Sequence, residues 1–270
     1  MKIRLKNDNR LENGISGGNS VVKDIELWQG DCLELMKDIP DASVDMILCD
    51  LPYGTTACKW DTIIPFEPLW EQYERVIKDN GAIVLFGSEP FSSHLRLSNL
   101  KNYKYDWHWI KSKGQGFFNA KKMPLKTIET ISVFYKKIPP YKPQGVKAYG
   151  KTITNPIGKL DNTGHISGHN GGNVKAKKYV REFTNYPRQE LFFGVVGRPL
   201  HPTQKPVPLF EYLIKTYTNE GETVLDNCMG SGTTGVACKR LNRNFIGIEL
   251  DETYFNLAKE RIESAGEINE

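Results

Sequence analysis

Apolar residues along the chain fall into two rhythms. Val44–Cys49 (VDMILC) and residues 82–86 (AIVLF) are short, almost continuous apolar runs, as expected of strands buried on both faces of a parallel sheet. Between them Phe66, Leu69, Trp70, Tyr73, Val76 and Ile77 recur at spacings of three and four, which predicts a helix over 66–78 that stops at Asn80-Gly81. The result is a β-α-β unit. The C-terminal part repeats the rhythm, with helices predicted over 209–217 and 233–241 and strands over 223–225 and 245–248. Such alternation implies an α/β fold built on a doubly wound, mostly parallel sheet, whose ligands lie at the carboxyl ends of strands near the switch point. The chemistry is therefore expected just after Cys49, Leu225 and Ile248.

Composition adds little to this picture beyond exclusions. With 39% hydrophobic, 25% charged and 11% aromatic residues over 270 positions, the chain can bury a large core without a metal or disulfide staple. No apolar run approaches the roughly 20 residues needed to cross a bilayer, and the start lacks an apolar signal core, so a protein without membrane contact is expected. Five cysteines without a CxxC pair give neither a disulfide frame nor a zinc knuckle, which fits a reducing cytoplasm. The histidines show no metal-ligand spacing, and no metal is expected.

Charge changes the picture more. The net charge is only +4, but 111–188 holds 16 Lys and Arg against three acids (Glu129, Asp161, Glu182), a net +13, and leaves −9 for the remainder. Aromatic residues are interleaved with these cations, among them Phe117, Phe118, Tyr149, Phe183 and Tyr186. Cations for phosphates and rings for stacking or wedging are what a polyanion-binding surface requires. Glycine and asparagine cluster in the same segment and predict long loops. The expected organisation is a loose leader at 1–22, a catalytic half at 23–110, a basic target-recognition region at 111–197 and a cofactor-binding half at 198–270.

The strand ends carry the candidate chemistry. After the 223–225 strand, Asp226-Asn227-Cys228-Met229-Gly230-Ser231-Gly232-Thr233-Thr234 leads into a helix, and its glycines permit a tight turn and close approach of a ligand to the backbone. The next strand ends in Glu249, 23 residues beyond Asp226, where a carboxylate can accept both hydroxyl protons of a ribose. No lysine follows the second glycine, which excludes a phosphate-binding Walker loop. At the end of Val44–Cys49, Asp50-Leu51-Pro52-Tyr53-Gly54 places a carboxylate, a backbone carbonyl and an aromatic face together, the ingredients for holding an exocyclic amine on a flat base. These residues alone leave open a nicotinamide-linked oxidoreductase and a catalytically silent DNA-binding protein with a degenerate cofactor fold.

Taken together, the motifs and their order resemble a known family. Asp50-Leu51-Pro52-Tyr53 looks like the DPPY motif of amino-group DNA methyltransferases, Asp226 to Thr234 like their S-adenosylmethionine loop, and His201-Pro202-Thr203-Gln204-Lys205-Pro206 like their HPTQKP segment. With the catalytic motif first, a variable region next and the cofactor loop last, the chain resembles the β-class over roughly residues 24–265. Further matches are Gly30-Asp31-Cys32-Leu33-Glu34-Leu35 and Trp109-Ile110-Lys111. The resemblance implies a Rossmann-like class I methyltransferase fold with S-adenosylmethionine as cofactor and double-stranded DNA as substrate. The implied mechanism has Asp50 and the Leu51 carbonyl each accepting one N–H of a flipped-out adenine while Tyr53 stacks on its ring. On the cofactor side it assigns Asp226, Gly230, Gly232 and Thr233 to the methionine end, Glu249 to the ribose and Asp31 to the cofactor adenine, with Cys32, Ser231 and Thr234 as further cofactor-binding residues. The HPTQKP segment, with Thr203 and Lys205 near a helix start, is the implied clamp for the methionine carboxylate, and His201 is a further cofactor-binding residue. Two departures stand out: Leu51 replaces the usual first proline, and Cys228 stands where the family often has Phe, a contact Met229 is expected to supply. The family more often has Ser in place of Asp50 for cytosine, so adenine N6 is the implied target and cytosine N4 the alternative. A homodimer and a cognate restriction endonuclease are partners compatible with the resemblance.

Overall fold

Alternate residues of Val44–Cys49 enter opposite apolar layers, Met46 and Leu48 one and Ile47 and Cys49 the other, which is why the run is almost continuously apolar. A computed structural model describes residues 1–5, 24–55, 61–154, 178–198 and 204–266. The described chain forms two units, Met1–Lys142 with Gln189–Glu270, and Pro143–Arg188.

In chain order the elements begin with β1 (Lys2–Leu5), β2 (Ile25–Gln29), α1 (Cys32–Leu35), β3 (Val44–Cys49) and α2 (Phe66–Val76). There follow β4 (Ile77–Gly87), α3 (Phe91–Ser98), β5 (Tyr103–Gln115) and β6 (Lys126–Phe134), then β7 (Lys147–Thr154) and β8 (Lys178–Thr184). The chain continues through β9 (Glu190–Phe193), α4 (Val207–Tyr217), β10 (Thr223–Asp226), α5 (Thr233–Arg240), β11 (Asn244–Glu249) and α6 (Glu252–Ser264). In the larger unit the described strands make one sheet in the order β1-β2-β11-β10-β3-β4-β6-β5-β9. From β2 to β4 the pairing is parallel, β1 and β6 pair antiparallel to their neighbours, and β9 is parallel to β5. Side chains of α4, α5 and α6 pack into one apolar layer, and those of α2 and α3 into the other.

The position of the site follows from this winding. β3 and β10 are hydrogen-bonded neighbours, yet β3 continues through α2 in one layer to β4, and β10 through α5 in the opposite layer to β11. Connections that leave adjacent strands toward opposite faces open a crevice at their carboxyl ends. Asp50 follows β3 directly, while Asp226 and Glu249 end β10 and β11. The chemistry expected after Cys49, Leu225 and Ile248 is at that edge.

Several expectations change. Residues 2–5 of the expected leader are an edge strand paired with β2, because Ile3 and Leu5 find apolar cover on the core. Asn80-Gly81 does not stop α2. It lies inside β4, where the pairing jumps from Val44↔Ile77 to Met46↔Ala82, and a Cβ on Gly81 would stand 2.9 Å from the Asp45 carbonyl oxygen. The units divide at Pro143 and Arg188 rather than at 111 and 197. Residues 111–115, 126–134 and 190–193 are sheet strands, since charge along a sequence reports surface chemistry and is blind to backbone pairing.

The smaller unit is described as the antiparallel pair β7–β8. Lys151 and Arg181 lie over the Tyr149 ring at 5.4 and 5.9 Å, and Phe183 and Tyr186 are exposed.

Candidate active site

Asp226, Gly230 and Glu249 line the same cavity as Asp50, Leu51 and Tyr53; its volume is 670 Å³. The two motifs, some 175 positions apart, thus share one pocket.

Asp50 is held from both sides. Its Oδ2 lies 2.5 Å from Lys205 Nζ, and its Oδ1 accepts from the Tyr53 hydroxyl at 2.5 Å. Lys205 Nζ also lies 2.9 Å from Glu129 Oε1, and Lys111 Nζ lies 2.7 Å from Glu129 Oε2. Two carboxylates and two ammonium groups therefore alternate along one chain, and the side chains of Lys111, Glu129 and Lys205 are at most 8% exposed. Charges removed from water this far persist only when paired. Burial pushes the Asp50 carboxyl up against the pull of Lys205. Burial works in the same direction on Glu129, but Lys205 and Lys111 outweigh it and hold that carboxyl at about 2. Lys205 stays an ammonium, since Asp50 and Glu129 more than offset the effect of its burial.

The resemblance assigns Lys205 to the methionine carboxylate; its ammonium instead joins Asp50 to Glu129. The reason is local geometry: Lys205 precedes α4, and its backbone carbonyl accepts from Thr233 Oγ1 at 3.5 Å, which places the side chain between cofactor loop and catalytic loop. His201 and Thr203 lie outside the described residues. Glu129 escaped the sequence reading, which counted it among the acids of the basic segment; the signal for it is a lone acid within the apolar stretch Ile128–Phe134, which no strand core tolerates without a buried partner.

The remaining residues divide by what they touch. The Leu51 side chain is buried in the α2 layer, so the residue offers the cavity its backbone, which accounts for the tolerated loss of proline. Tyr53 is backed by Phe91, ring centroids 5.0 Å apart. Pro52 lines the cavity beside them. Asp31 caps α1 by accepting from Leu33 N at 2.8 Å, and Cys32 opens that helix; both line the cavity. Glu249 accepts the Gly230 N–H at 2.8 Å and the Asp251 N–H at 2.9 Å, and each oxygen keeps a further lone pair for a hydroxyl. Gly230 turns the chain at φ 51°, which brings its N–H onto that carboxylate.

Met229, Ser231, Thr233 and Thr234 also line the cavity, and several members of the loop make packing contacts besides. Gly232 is absent from the cavity lining; at φ +76° a Cβ there would stand 2.9 Å from the Cβ of Ala258, so this glycine serves the close packing of α5 on α6. Met229 is buried, its sulfur filling the space over Gly247, and it also lines the cavity. Ser231 and Thr233 are tied to Arg261 of α6, whose Nη1 donates to the Ser231 carbonyl at 2.5 Å and to Thr233 Oγ1 at 3.5 Å. Asn227, also missed from sequence, accepts from the Tyr73 hydroxyl at 2.5 Å and points its amide at the sulfurs of Cys32 and Cys228.

Asp226 accepts from the Cys228 N–H at 3.1 Å and from the Thr234 hydroxyl, and burial raises its carboxyl to about 7. An acid whose folded pKa exceeds its unfolded value near 3.8 favours folding most below about 4, and that contribution fades as pH rises through 7. Thermal midpoints of wild type and Asp226→Asn measured between pH 4 and 8 should therefore differ in slope, the wild type losing more over this range. Parallel curves would refute the assignment.

Glycine-permitted turns, a carboxylate with spare acceptor capacity at a strand end and a cavity of this size fit a nucleoside-type cofactor. Comparison with known proteins points the same way. A family model described as DNA methylase matches residues 44–260. The type II methyltransferase M.HpaI of Haemophilus parainfluenzae is 29% identical over 254 residues, covering 89% of this chain and 75% of that protein. M1.MboII of Moraxella bovis, also a type II methyltransferase, is 26% identical over 263 residues, covering 86% and 94%. Among solved structures, that of an M1.HpyAVI–SAM complex superposes with a TM-score of 0.58 at 28% identity, covering 87% of this chain and 98% of that one. The cytosine-N4-specific PvuII methyltransferase superposes at 0.61 with 16% identity, a likeness of fold.

Proposed function

This chain belongs to the N6/N4 DNA methylase family, the amino-group DNA methyltransferases, and from that premise we propose that it methylates the N6 amino group of adenine in duplex DNA, acting on a base turned out of the helix. S-adenosylmethionine is its cofactor. One observation carries the reading: the carboxylate of Asp50 and the loop at Gly230 and Glu249 open onto a single cavity.

When bound, S-adenosylmethionine supplies an electrophilic methyl group on a sulfonium. Gly230, Glu249, Asp31 and the 226–234 turn would hold it. The adenine amino nitrogen is a poor nucleophile because its lone pair is delocalised into the ring. Asp50 and the Leu51 carbonyl accept its two N–H groups and draw the nitrogen toward tetrahedral geometry, which localises the lone pair. Tyr53, backed by Phe91, is the aromatic face against which the base lies. Holding two reactants in line lowers a barrier by about 7–11 kcal/mol, so positioning carries the rate. Lys205 and Glu129 contribute by fixing the orientation of Asp50.

The carboxylate in the first motif position favours adenine over cytosine, in line with the family resemblance. The exposed cations and rings of Pro143–Arg188 supply target recognition, with the cations on phosphates and the rings on bases. Incubation with methyl-labelled S-adenosylmethionine and mixed-sequence duplex DNA, followed by nucleoside analysis, should yield N6-methyladenine at one sequence context. N4-methylcytosine would overturn the choice of base, and unlabelled DNA the whole reading.

A further inference from the structure

Between Lys111 and Glu129 every residue is exposed. The ends of β5 and β6 therefore run past the apolar layer that buries Trp109 and Ile131, as a projecting hairpin. Its tip carries the two most exposed large hydrophobic side chains among the described residues: Phe117 is 81% exposed and Phe118 99%. Adjacent aromatic side chains left this bare in water are unfavourable unless something else covers them.

The tip is shaped, not frayed. Gly116 turns at φ 84° into a short 3₁₀ turn over Phe117–Asn119, closed by Asn119 N–H to Gly116 carbonyl at 2.9 Å and Ala120 N–H to Phe117 carbonyl at 3.0 Å. The hairpin is tightly closed below this, where a Cβ on Gly114 would meet Leu125 at 2.8 Å. The same hairpin carries four exposed lysines, Lys113, Lys121, Lys122 and Lys126, with no acidic residue between Lys111 and Glu129. Its base is the catalytic network itself, since Lys111 Nζ reaches both Glu129 and the Gln115 carboxamide, the latter at 2.6 Å. Gln115, Lys126 and Ile128 line the cavity that holds Asp50.

We propose that Phe117 and Phe118 are a wedge that enters the duplex and stacks where the target base has left, while the lysines of the same hairpin engage the adjoining phosphates. The charge identifies the partner: a bare aromatic pair on a hairpin whose charged residues are all cations suits a stacked polyanion, and apolar wedges between base steps are an established means of unstacking DNA. The position identifies the role, because an element rooted at the mouth of the cavity contacts the helix beside the base that enters. This rests on the proposed methyl transfer to a base turned out of duplex DNA.

The test is Phe117→Ala/Phe118→Ala, assayed on the duplex that the wild-type enzyme methylates and on the same duplex with a mismatched base opposite the target. Turning out a mispaired base costs less, so a wedge is needed less. Expected is a fall of roughly tenfold or more on the paired duplex and recovery on the mismatched one to within about threefold of wild type, with S-adenosylmethionine binding unchanged by calorimetry. No fall, or an equal fall on both substrates, overturns the wedge. So does a shift from dimer to monomer in sedimentation that accounts for the loss, which would mark the rings as a contact between two copies. If the wild type itself transfers no methyl group, the reading beneath this inference has failed; an active wild type with an unaffected variant removes the wedge alone.

Discussion

Asp50→Ala is expected to lower the rate of methyl transfer by at least about 10²–10³, a loss of roughly 3–4 kcal/mol of transition-state stabilisation, while leaving S-adenosylmethionine affinity within a few-fold of wild type. The division follows from the geometry. Asp50 lines the cavity on the β3 side, whereas Gly230 and Glu249 belong to the adjacent β10–β11 side and are held by each other and by Asp251. Deleting the carboxylate frees Lys205 from one partner but leaves it paired to Glu129, so the pocket keeps its form. Single-turnover transfer and calorimetric titration of the cofactor read the two effects separately. Normal turnover by Asp50→Ala would refute its role as the acceptor of the amino group.

Glu129→Gln is expected to be the most destabilising single change at the site, by about 3–5 kcal/mol, because it leaves the buried Lys111 ammonium without a carboxylate and Lys205 with Asp50 alone. Denaturant unfolding with an unchanged m-value measures this directly. The companion Glu129→Gln/Lys111→Met restores the balance of charge and should recover a substantial part of the loss; additive costs would show that the groups are not coupled. The pH dependence has a definite sign. Glu129 is held at about 2 in the folded state against about 4.5 unfolded, so its contribution is fully present above pH 4.5 and is lost as pH falls toward 2. Acid unfolding of wild type should accordingly be steeper over that range than that of Glu129→Gln.

The catalytic network also shows where reading residues in order reaches its limit. The strand ends, the acidic position 23 residues beyond the loop's first aspartate and the basic middle are all visible along the chain, because each is a local pattern: an apolar run, a glycine turn, an excess of one charge. Lys205 was visible too, as part of a motif, yet its partner was not. Asp50, Glu129 and Lys205 come from three distant segments, and their alternation of charge exists only once β3, β6 and the start of α4 are side by side. Gly232 teaches the same lesson in reverse: within the motif it looks like part of a ligand cradle, while its neighbours across space, Ala258 and Ile262, make it a packing residue.

Periodicity and turn chemistry act between near neighbours, so a linear string suffices to announce the β-α-β units, the two catalytic loops and the class of chemistry they carry. Pairing in the antiparallel β4-β6-β5 part of the sheet, the exchange of partners by Lys205 and the projection of Phe117 and Phe118 into solvent arose from folding. Each depends on which remote backbone or charge comes within a few ångströms. Hydrogen bonding and desolvation are decided at that range, and sequence separation has no bearing on either.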